Sequence, residues 1–435
     1  MALSWRFPAL LAAGLLPLIV LGTTGERALW VLGVWTLLCL VILIVDLSLA
    51  ASPRQLTVER GPVERIRLGE SASPLLAIEV VGKRTFRGIV RDAWEPSAGG
   101  GRMRTRVTIP AGERRLVRLT LTPTRRGTRR SEFVAVRSFG PLGVAARQVS
   151  LKAPGELKVL PPFNSRKHLP SRLARLRELD GRTSLMVRGQ GTEFDSLRDY
   201  VRGDDIRSID WRATARRQDL VVRTWRPERD RHVVIVIDSG RSSAARVENE
   251  ARLDTAIEGA LLLAALASRA GDHVEVLALD RLVRARVQGV GAGQLLTNIV
   301  EAMADVEPQL IEPDWDMVPG LVNSMTTQRS LVVLISTHDT PEQCESLFAL
   351  VPQLARRHLT LVASVSDPDA QRFTTERPDV AAVYRAAAAE RARLDERHVA
   401  EALTQLGADV VAATPKELPP KLADRYLALK KSGRL

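Results

Sequence analysis

The sequence His232-Val-Val-Ile-Val-Ile237 is an uninterrupted apolar run, typical of a strand that is buried on both faces. Two later runs, Ser330-Leu-Val-Val-Leu-Ile335 and Leu359-Thr-Leu-Val-Ala363, repeat the pattern. Stretches with helical periodicity separate these runs, and such alternation requires a mainly parallel sheet with helices on both faces. Residues 232–435 are therefore predicted to form a doubly wound α/β domain, in which ligands bind at the carboxyl ends of the strands.

The same alternation predicts the other elements of this domain. Two shorter strand patterns lie at residues 273–277 and 408–412. The predicted helices span residues 247–269, 294–304, 341–357, 382–406 and 418–429.

The first 50 residues contain two apolar segments. Residues 28–45 form a run of 18 residues without a charge, which is long enough to span a bilayer. Residues 7–22 are also apolar, and no small-residue cleavage site separates the two segments. We therefore expect a transmembrane helical hairpin in residues 1–50, rather than a signal peptide or two buried core helices. By the positive-inside rule, the arginines that follow place the rest of the chain in the cytoplasm, at the bacterial inner membrane: Arg54, Arg60, Arg65 and Arg67.

Residues 51–160 contain short alternating runs separated by Gly and Pro, which predict an antiparallel β-sandwich-like domain. This segment has no His, and nothing in it indicates catalysis. Residues 161–231 are predicted to hold a basic linker, up to about residue 188, and then an unusual charged motif.

The net charge of +13 makes nucleic acid and an anionic membrane surface candidate partners. Aromatic residues make up only 4% of the chain, and it contains neither zinc-finger spacing nor a glycine-rich phosphate loop, so we expect no nucleic-acid binding. The two cysteines, Cys39 and Cys344, are too few for a disulfide framework, which suits a reducing compartment.

The charged motif runs from Gly191 to Arg216 and mixes carboxylates with arginines around a thin apolar pattern. Apolar spacing predicts a helix over residues 193–202, followed by a second helical segment that Asp204 or Asp205 caps. Two ion pairs three residues apart are expected on the first helix, namely Asp195 with Arg198 and Asp199 with Arg202. A solvated, salt-bridged face explains these charges as well as a functional site does.

The order of residues in this motif resembles the signature of the domain of unknown function 58 family. The residues that fit are Gly191, Glu193, Phe194, Leu197, Arg198, Tyr200, Gly203, Asp204, Asp205, Arg207, Ile209, Asp210, Trp211, Thr214, Ala215 and Arg216. The resemblance implies a membrane hairpin, a β-rich segment and a C-terminal von Willebrand factor A-like domain. It also implies a protein partner, a MoxR-type AAA+ ATPase, and a role in chaperone-like maturation or envelope stress.

In von Willebrand factor A domains, a D-x-S-x-S loop after the first strand helps to bind a divalent cation. Here Asp238-Ser-Gly-Arg-Ser242 keeps the first carboxylate and the last hydroxyl, but Gly240 lacks the middle hydroxyl and Arg241 adds a cation. Asp314 supplies a carboxylate from a second loop. We therefore expect a degenerate site, in which Asp238, Ser242 and Asp314 bind Mg²⁺ weakly or not at all.

A later loop has Ser336-Thr337 where the domain pattern has Ser-Asp, and Asp339 follows two residues on. Like charge disfavours a metal ion next to Arg241, unless the guanidinium pairs with Asp314 or Asp339. We assign Arg241 and Asp339 to partner binding.

Two functions follow from these residues. The first is a non-enzymatic, membrane-anchored module that binds a protein partner at its strand-end loops. The alternative is a metal-dependent hydrolase that uses the carboxylates of the motif. A general acid needs a raised pKa, and the neighbouring arginines lower it, so the sequence favours the first function.

Overall fold

We analysed a computed structural model, which describes residues 2–101, 103–186, 193–226, 231–248, 250–337, 339–375 and 378–435. The chain divides into two compact units, residues 1–160 and residues 161–435. Each unit has its own core and is described separately.

The first unit begins with three apolar helices. They are α1 (Arg6–Ala13), α2 (Leu15–Leu21) and α3 (Gly25–Leu49). Among the described residues, the helix that begins at Gly25 is the one long and apolar enough to cross a membrane. Residues 7–22 were predicted as one span, and the structure has two shorter helices there, α1 and α2, separated at Gly14. They pack on α3, where the indole Nε1 of Trp35 donates a hydrogen bond to the Leu10 carbonyl oxygen over 3.2 Å.

The rest of this unit is β-rich, as predicted. Its strands are β1 (Ala2–Leu3), β2 (Leu56–Arg60), β3 (Ile66–Arg67), β4 (Leu75–Val80), β5 (Phe86–Trp94), β6 (Arg104–Ile109), β7 (Arg114–Arg118), β8 (Gly127–Phe139) and β9 (Ala145–Leu160). One sheet has the order β1-β9-β8-β5-β6 with β3 beside β9, and the other has the order β2-β4-β7. Alternate residues of both sheets fill one core, where Ile78 and Val117 of the smaller sheet join Phe86, Val90 and Val136 of the larger.

The second unit contains the α/β region. Its elements are α4 (Leu169–Met186), β10 (Glu193–Asp199), α5 (Trp211–Arg217), β11 (Val221–Arg226), β12 (His232–Asp238), β13 (Arg246–Val247), β14 (Glu250–Ala251), α6 (Arg252–Arg269), β15 (His273–Leu279), β16 (Val283–Val287), α7 (Ala292–Ala304), α8 (Val318–Met325), β17 (Leu331–Ile335), α9 (Glu345–Ala355), β18 (Leu359–Val365), α10 (Pro368–Phe373), α11 (Val380–Gln405), β19 (Asp409–Ala413) and α12 (Leu418–Lys431).

The main sheet of this unit has the order β16-β15-β12-β17-β18-β19. All neighbouring pairs are parallel except β15 with the edge strand β16. Val234 and Val236 of β12 contribute to a core that includes residues of α8, α9 and α11. Helices α6 and α12 pack together and also contact the sheet, and α6 buries most of its residues. The predicted α/β region is therefore present.

The structure corrects the predicted linker and the start of the first predicted helix of this unit. The basic linker is largely the helix α4, because Leu176 is buried and Arg172 forms an ion pair of 2.7 Å with Asp424 of α12. The helix predicted from residue 247 begins only at Arg252, because the short hairpin β13–β14 precedes it.

Candidate functional site

Strand β12 ends at Asp238, whose side chain is fully buried at the carboxyl edge of the main sheet. Its Oδ1 accepts a hydrogen bond from the Gly240 backbone N–H over 2.6 Å. Its Oδ2 accepts from the hydroxyls of Ser242 over 2.9 Å and of Ser336 over 2.7 Å. Three donors therefore hold one buried carboxylate and connect the loop after β12 to the loop after β17.

Burial raises the pKa of Asp238, while the hydrogen bonds from Ser336, Gly240 and Ser242 lower it; the net direction is upward. Even so, all three neighbours are donors, and each gains more from the ionised carboxylate than from the protonated acid. At neutral pH the arrangement therefore suits a buried negative charge.

Gly240 is required at its position by packing. A Cβ atom there would lie 2.9 Å from Asp238 Oδ1, from the Ile311 carbonyl oxygen and from Pro313 Cδ. The backbone N–H of Arg241 also donates to the Ile311 oxygen over 2.9 Å. The segment around residues 311–313 thus occupies the space that a side chain at residue 240 would need.

Asp314, the third predicted metal ligand, lies on this adjacent segment. Its Oδ1 accepts a hydrogen bond from the Asp316 backbone N–H over 3.2 Å, and its own N–H donates to the Asp280 carbonyl oxygen. The carboxylate of Asp314 is thus a cap for a helical turn, and its contacts differ from those of Asp238. Within the described ranges, no three His, Cys, Asp or Glu side chains group in a way that could hold a metal ion.

Arg241 and Asp339, the predicted partner-binding residues, have different surroundings. Arg241 is exposed and lies 3.7 Å from the exposed carboxylate of Glu312. Asp339 accepts two hydrogen bonds from the guanidinium of Arg252, over 2.5 and 3.1 Å. Arg241 therefore pairs with neither Asp314 nor Asp339 among the described residues, so neither carboxylate offsets its charge next to a metal ion.

The sequence alone did not identify two residues at this edge, Ser336 and Asp280, as candidate functional residues. Ser336 was noted only as the residue before a missing carboxylate, although its hydroxyl contacts Asp238. Asp280 directly follows β15 and is fully buried, where it accepts hydrogen bonds from Ser239 and Arg284. Its position directly after an apolar strand is the signal that could have identified it.

The loops above these buried carboxylates carry exposed apolar side chains. Leu310 is 78% exposed and Leu282 is 60% exposed. Backbone hydrogen bonds fix both loops to the sheet edge, because Gln309 N–H donates to the Ser239 oxygen and Asp280 N–H donates to the Leu282 oxygen. The edge is therefore a surface held by backbone hydrogen bonds, and it presents two leucines and the charges of Arg241 and Glu312.

The charged motif forms a β-hairpin with a short helix, so the prediction of a helix over residues 193–202 was wrong. Strand β10 pairs antiparallel with β11, and Arg198 lies opposite the buried Val222. The aspartates of the connection bond to turn backbone, which competes with helix formation. The side chains of Glu193, Phe194 and Asp195 lie outside the described residues.

The three central aspartates of the motif are engaged locally. Asp204 accepts hydrogen bonds from Arg198 over 2.5 Å and from the Val201 N–H, and the first of these lowers its pKa most. Asp205 accepts from the Arg207 N–H.

Asp210 begins α5 as its N-cap, where its Oδ1 accepts from the N–H groups of Arg212 and Ala213. Its Oδ2 accepts from Arg223 Nε over 2.8 Å. The Ala213 N–H and then Arg223 lower its pKa. The carboxylates of Asp204 and Asp210 thus each pair with an arginine, in different places from the predicted pairs.

The other motif residues lie on the outside of this hairpin. Tyr200 is half-buried at the end of β10. Arg207, Trp211 and Arg216 are exposed, and Trp211 retains 66% of its accessible surface.

Residues 196–395 match the model of a family described as protein of unknown function DUF58. Uncharacterized proteins of Mycobacterium bovis and Mycobacterium tuberculosis are 25% identical to this chain over 197 residues. The match spans 45% of this chain and 60% of each relative, which is less than two thirds of their length.

Similar solved structures cover small parts of the chain. The CARDB domain of a Pyrococcus furiosus protein, in complex with di-metal ions, is 17% identical with a TM-score of 0.18, over 24% of this chain and 91% of that one. Trypsin-activated alpha-2-macroglobulin from Escherichia coli is 8% identical with a TM-score of 0.20, over 36% of this chain and 9% of that one. TM-scores this low support no argument about fold or function.

Proposed function

We propose that this protein is a membrane-anchored interaction module, whose strand-end loops bind a protein partner. The partner implied by the resemblance is a MoxR-type AAA+ ATPase, and the pair would act in chaperone-like maturation or envelope stress. The α/β region would be a von Willebrand factor A-like domain in which the usual divalent-cation site is degenerate and binds Mg²⁺ weakly or not at all.

The membrane hairpin is supported by a contact between two distant parts of the first unit. Ala2 and Leu3 pair with Ala146 and Ala145 of β9, which follows α3 in the chain. If α3 crosses the bilayer, the N-terminus must lie on the same side as the β-rich region. Residues 6–21 must then lead to the far side, where α3 begins, and at about 24 Å of helix they reach most of the way across the membrane. By the positive-inside rule, the arginines after α3 support a cytoplasmic location of this side at the inner membrane.

The partner surface is supported mainly by the exposure of Leu310 and Leu282 at the carboxyl edge of the sheet. Large apolar side chains on a braced edge, flanked by charges, are a common feature of binding surfaces. Burying one leucine fully stabilises a complex by about 1.5–3 kcal/mol. The three hydrogen bonds on Asp238 hold the loop in one conformation, which lowers the entropy cost of binding.

The test is capture of a purified MoxR-type ATPase by the full-length protein in detergent. Leu310→Asp should weaken capture at least tenfold, because it places a charge where an apolar contact forms. Arg241→Glu should also weaken it, since it reverses the charge beside this surface. A matched control is Tyr384→Asp on α11, where the side chain is 74% exposed but far along the chain from the strand-end loops.

Equal capture by Leu310→Asp and the Tyr384→Asp control would contradict the assignment of this edge. Loss of capture on adding a chelator would instead show that a divalent cation takes part in binding, and would contradict the proposal of a degenerate cation site. The hydrolase alternative has no supporting contact in the described part of the motif, where Asp204 and Asp210 are paired with arginines.

A further inference from the structure

The net positive charge of the protein is confined to one region. Residues 51–160 contain 22 Lys and Arg against 9 Asp and Glu, a net charge of +13. This equals the net charge of the whole chain, so the remaining residues balance to zero. The β-rich region of the first unit is therefore the cationic part of the protein.

Strand register gathers many of these charges on one face of the larger sheet. Side chains alternate across a sheet, and Phe86, Val90 and Val136 point into the core. The opposite face presents Arg87 and Arg91 of β5, Arg104 and Arg106 of β6, and Arg137 of β8. We call these five residues the arginine face.

The arginine face brings like charges close together. Arg91 lies directly opposite Arg104, and Ile89 lies between Arg106 and Arg137. Directly opposed like charges destabilise a sheet. In the described part of the first unit, no acidic side chain pairs with any of the five, and Arg137 bonds to the neutral Gln148.

Two arginines elsewhere in the same unit have acidic partners. Arg114 pairs with Glu59 over 2.9 Å on the smaller sheet, and Arg130 pairs with Glu156 over 3.1 Å near the far end of β8. The arginine face, in contrast, combines five arginines without such a partner among the described residues of this unit and therefore stays positive. Such a surface is expected to bind an anionic ligand.

The arginine face begins close to the end of the apolar helix. The guanidinium of Arg84 donates a hydrogen bond to the Ser48 carbonyl oxygen of α3, and Arg87 follows three residues later. Three residues of chain span at most about 10 Å, comparable to the Debye length of about 8 Å at physiological salt. Arg87 therefore lies close to the electrostatic range of a membrane that contains α3.

We propose that the arginine face binds the headgroups of anionic phospholipids in the bilayer that contains α3. This inference rests on the proposed membrane anchoring. The tether favours lipid over a soluble acidic partner, because it holds the face at the membrane surface permanently. The scarcity of aromatic side chains disfavours nucleic acid.

The test uses the full-length protein in nanodiscs of either pure phosphatidylcholine or a mixture with phosphatidylglycerol. A cysteine replaces Thr108, which lies opposite Arg87 on the arginine face, and reacts with an uncharged, membrane-impermeant maleimide. Thr57→Cys, exposed on the smaller sheet, is the matched control. The natural Cys39 and Cys344 are buried, and burial raises the pKa of Cys344 to about 12, so both should react slowly.

Labelling of Thr108→Cys should slow by about fivefold in the anionic nanodiscs, the factor expected for one arginine at an anionic leaflet. High salt should restore the rate, and so should Arg91→Gln combined with Arg104→Gln. The Thr57→Cys rate should not change. The labelling at high salt uses a protein with all five arginines of the face, so it still tests the proposal if the variant with Arg91→Gln and Arg104→Gln folds poorly.

Equal rates for Thr108→Cys in both lipids would overturn the proposal. Protection by soluble polyglutamate in phosphatidylcholine nanodiscs, without protection by anionic lipid, would also overturn it in favour of an acidic protein partner. If the protein does not enter nanodiscs at all, the anchoring itself fails, and that result is distinct from either outcome.

Discussion

Asp46 makes the strongest single connection between α3 and the β-rich region. It lies in the last turn of the apolar helix and is fully buried. Its Oδ1 accepts a hydrogen bond from the Leu142 N–H over 2.8 Å, and its Oδ2 accepts from the N–H groups of Val144 and Ala145 over 2.8 and 2.9 Å. One carboxylate thus satisfies three backbone donors of the turn between β8 and β9. We predict that Asp46→Ala releases this turn from the helix.

The size of the effect follows from these contacts. A hydrogen bond to a charged group contributes about 1.5–3 kcal/mol, and buried N–H groups without an acceptor add a penalty. Truncation also relieves the cost of burying a carboxylate. We therefore expect a net loss of about 3–5 kcal/mol in the stability of the turn against local opening. Asp46→Asn keeps one acceptor oxygen, so it should lose about 1–2 kcal/mol.

Hydrogen–deuterium exchange of the full-length protein in nanodiscs measures this opening directly. A loss of 3 kcal/mol corresponds to about a hundredfold faster exchange of the amides of Leu142, Val144 and Ala145. Ser48→Ala is the control, because its hydroxyl donates only within the helix, to the Val45 oxygen. If the turn amides exchange equally slowly in Asp46→Ala and in Ser48→Ala, the Asp46 carboxylate does not stabilise the turn, and the prediction is wrong.

Three further predictions concern the second unit and are all checked by thermal unfolding. Burial raises the pKa of Asp238, so the free energy of unfolding of the wild type falls as pH rises above about 4, where the carboxyl of the unfolded chain ionises. Asp238→Asn has no such loss and should therefore gain stability relative to wild type between about pH 4 and 7. A difference that does not vary with pH would count against this. Gly240→Ala should lower Tm because its Cβ meets three atoms at 2.9 Å, whereas Gly293→Ala, in open space, should not. Asp210→Ala should lower Tm more than the exposed Asp219→Ala; since the Asp210 pKa is lowered, this loss should be full at neutral pH and fade as pH falls below about 4.

The elements with a continuous apolar pattern could be predicted from the sequence. The strands from His232 and Leu359 follow from hydrophobicity alone because burial on both faces leaves little choice of residue type. The antiparallel edge strand β16 was missed, although Val283–Val287 alternates apolar residues with arginine as a half-buried strand does, because the run is only five residues long.

The helix predicted for the first part of the charged motif was wrong for a physical reason. Phe194, Leu197 and Val201 have helical spacing, but β11 pairs with this segment across a hairpin, with one irregularity between Phe194 and Ser196. Long-range pairing overrides local spacing when one strand of the pair is buried, as Val221 and Val222 are. The aspartates then become turn and cap residues, which no count of charges in the sequence reveals.

The strand-end site shows how one glycine changes the chemistry of a loop. Without a Cβ at residue 240, the Ile311 carbonyl oxygen approaches the loop and accepts the Arg241 N–H. The Gly240 N–H can then bond to Asp238, and the hydroxyls of Ser242 and Ser336 complete the set of donors. A metal ion on this carboxylate would compete with those donors, and both hydroxyls would have to turn their protons away from it. Strong Mg²⁺ binding therefore requires a different loop conformation, and adding a hydroxyl at residue 240 cannot create one unless the chain around residues 311–313 moves.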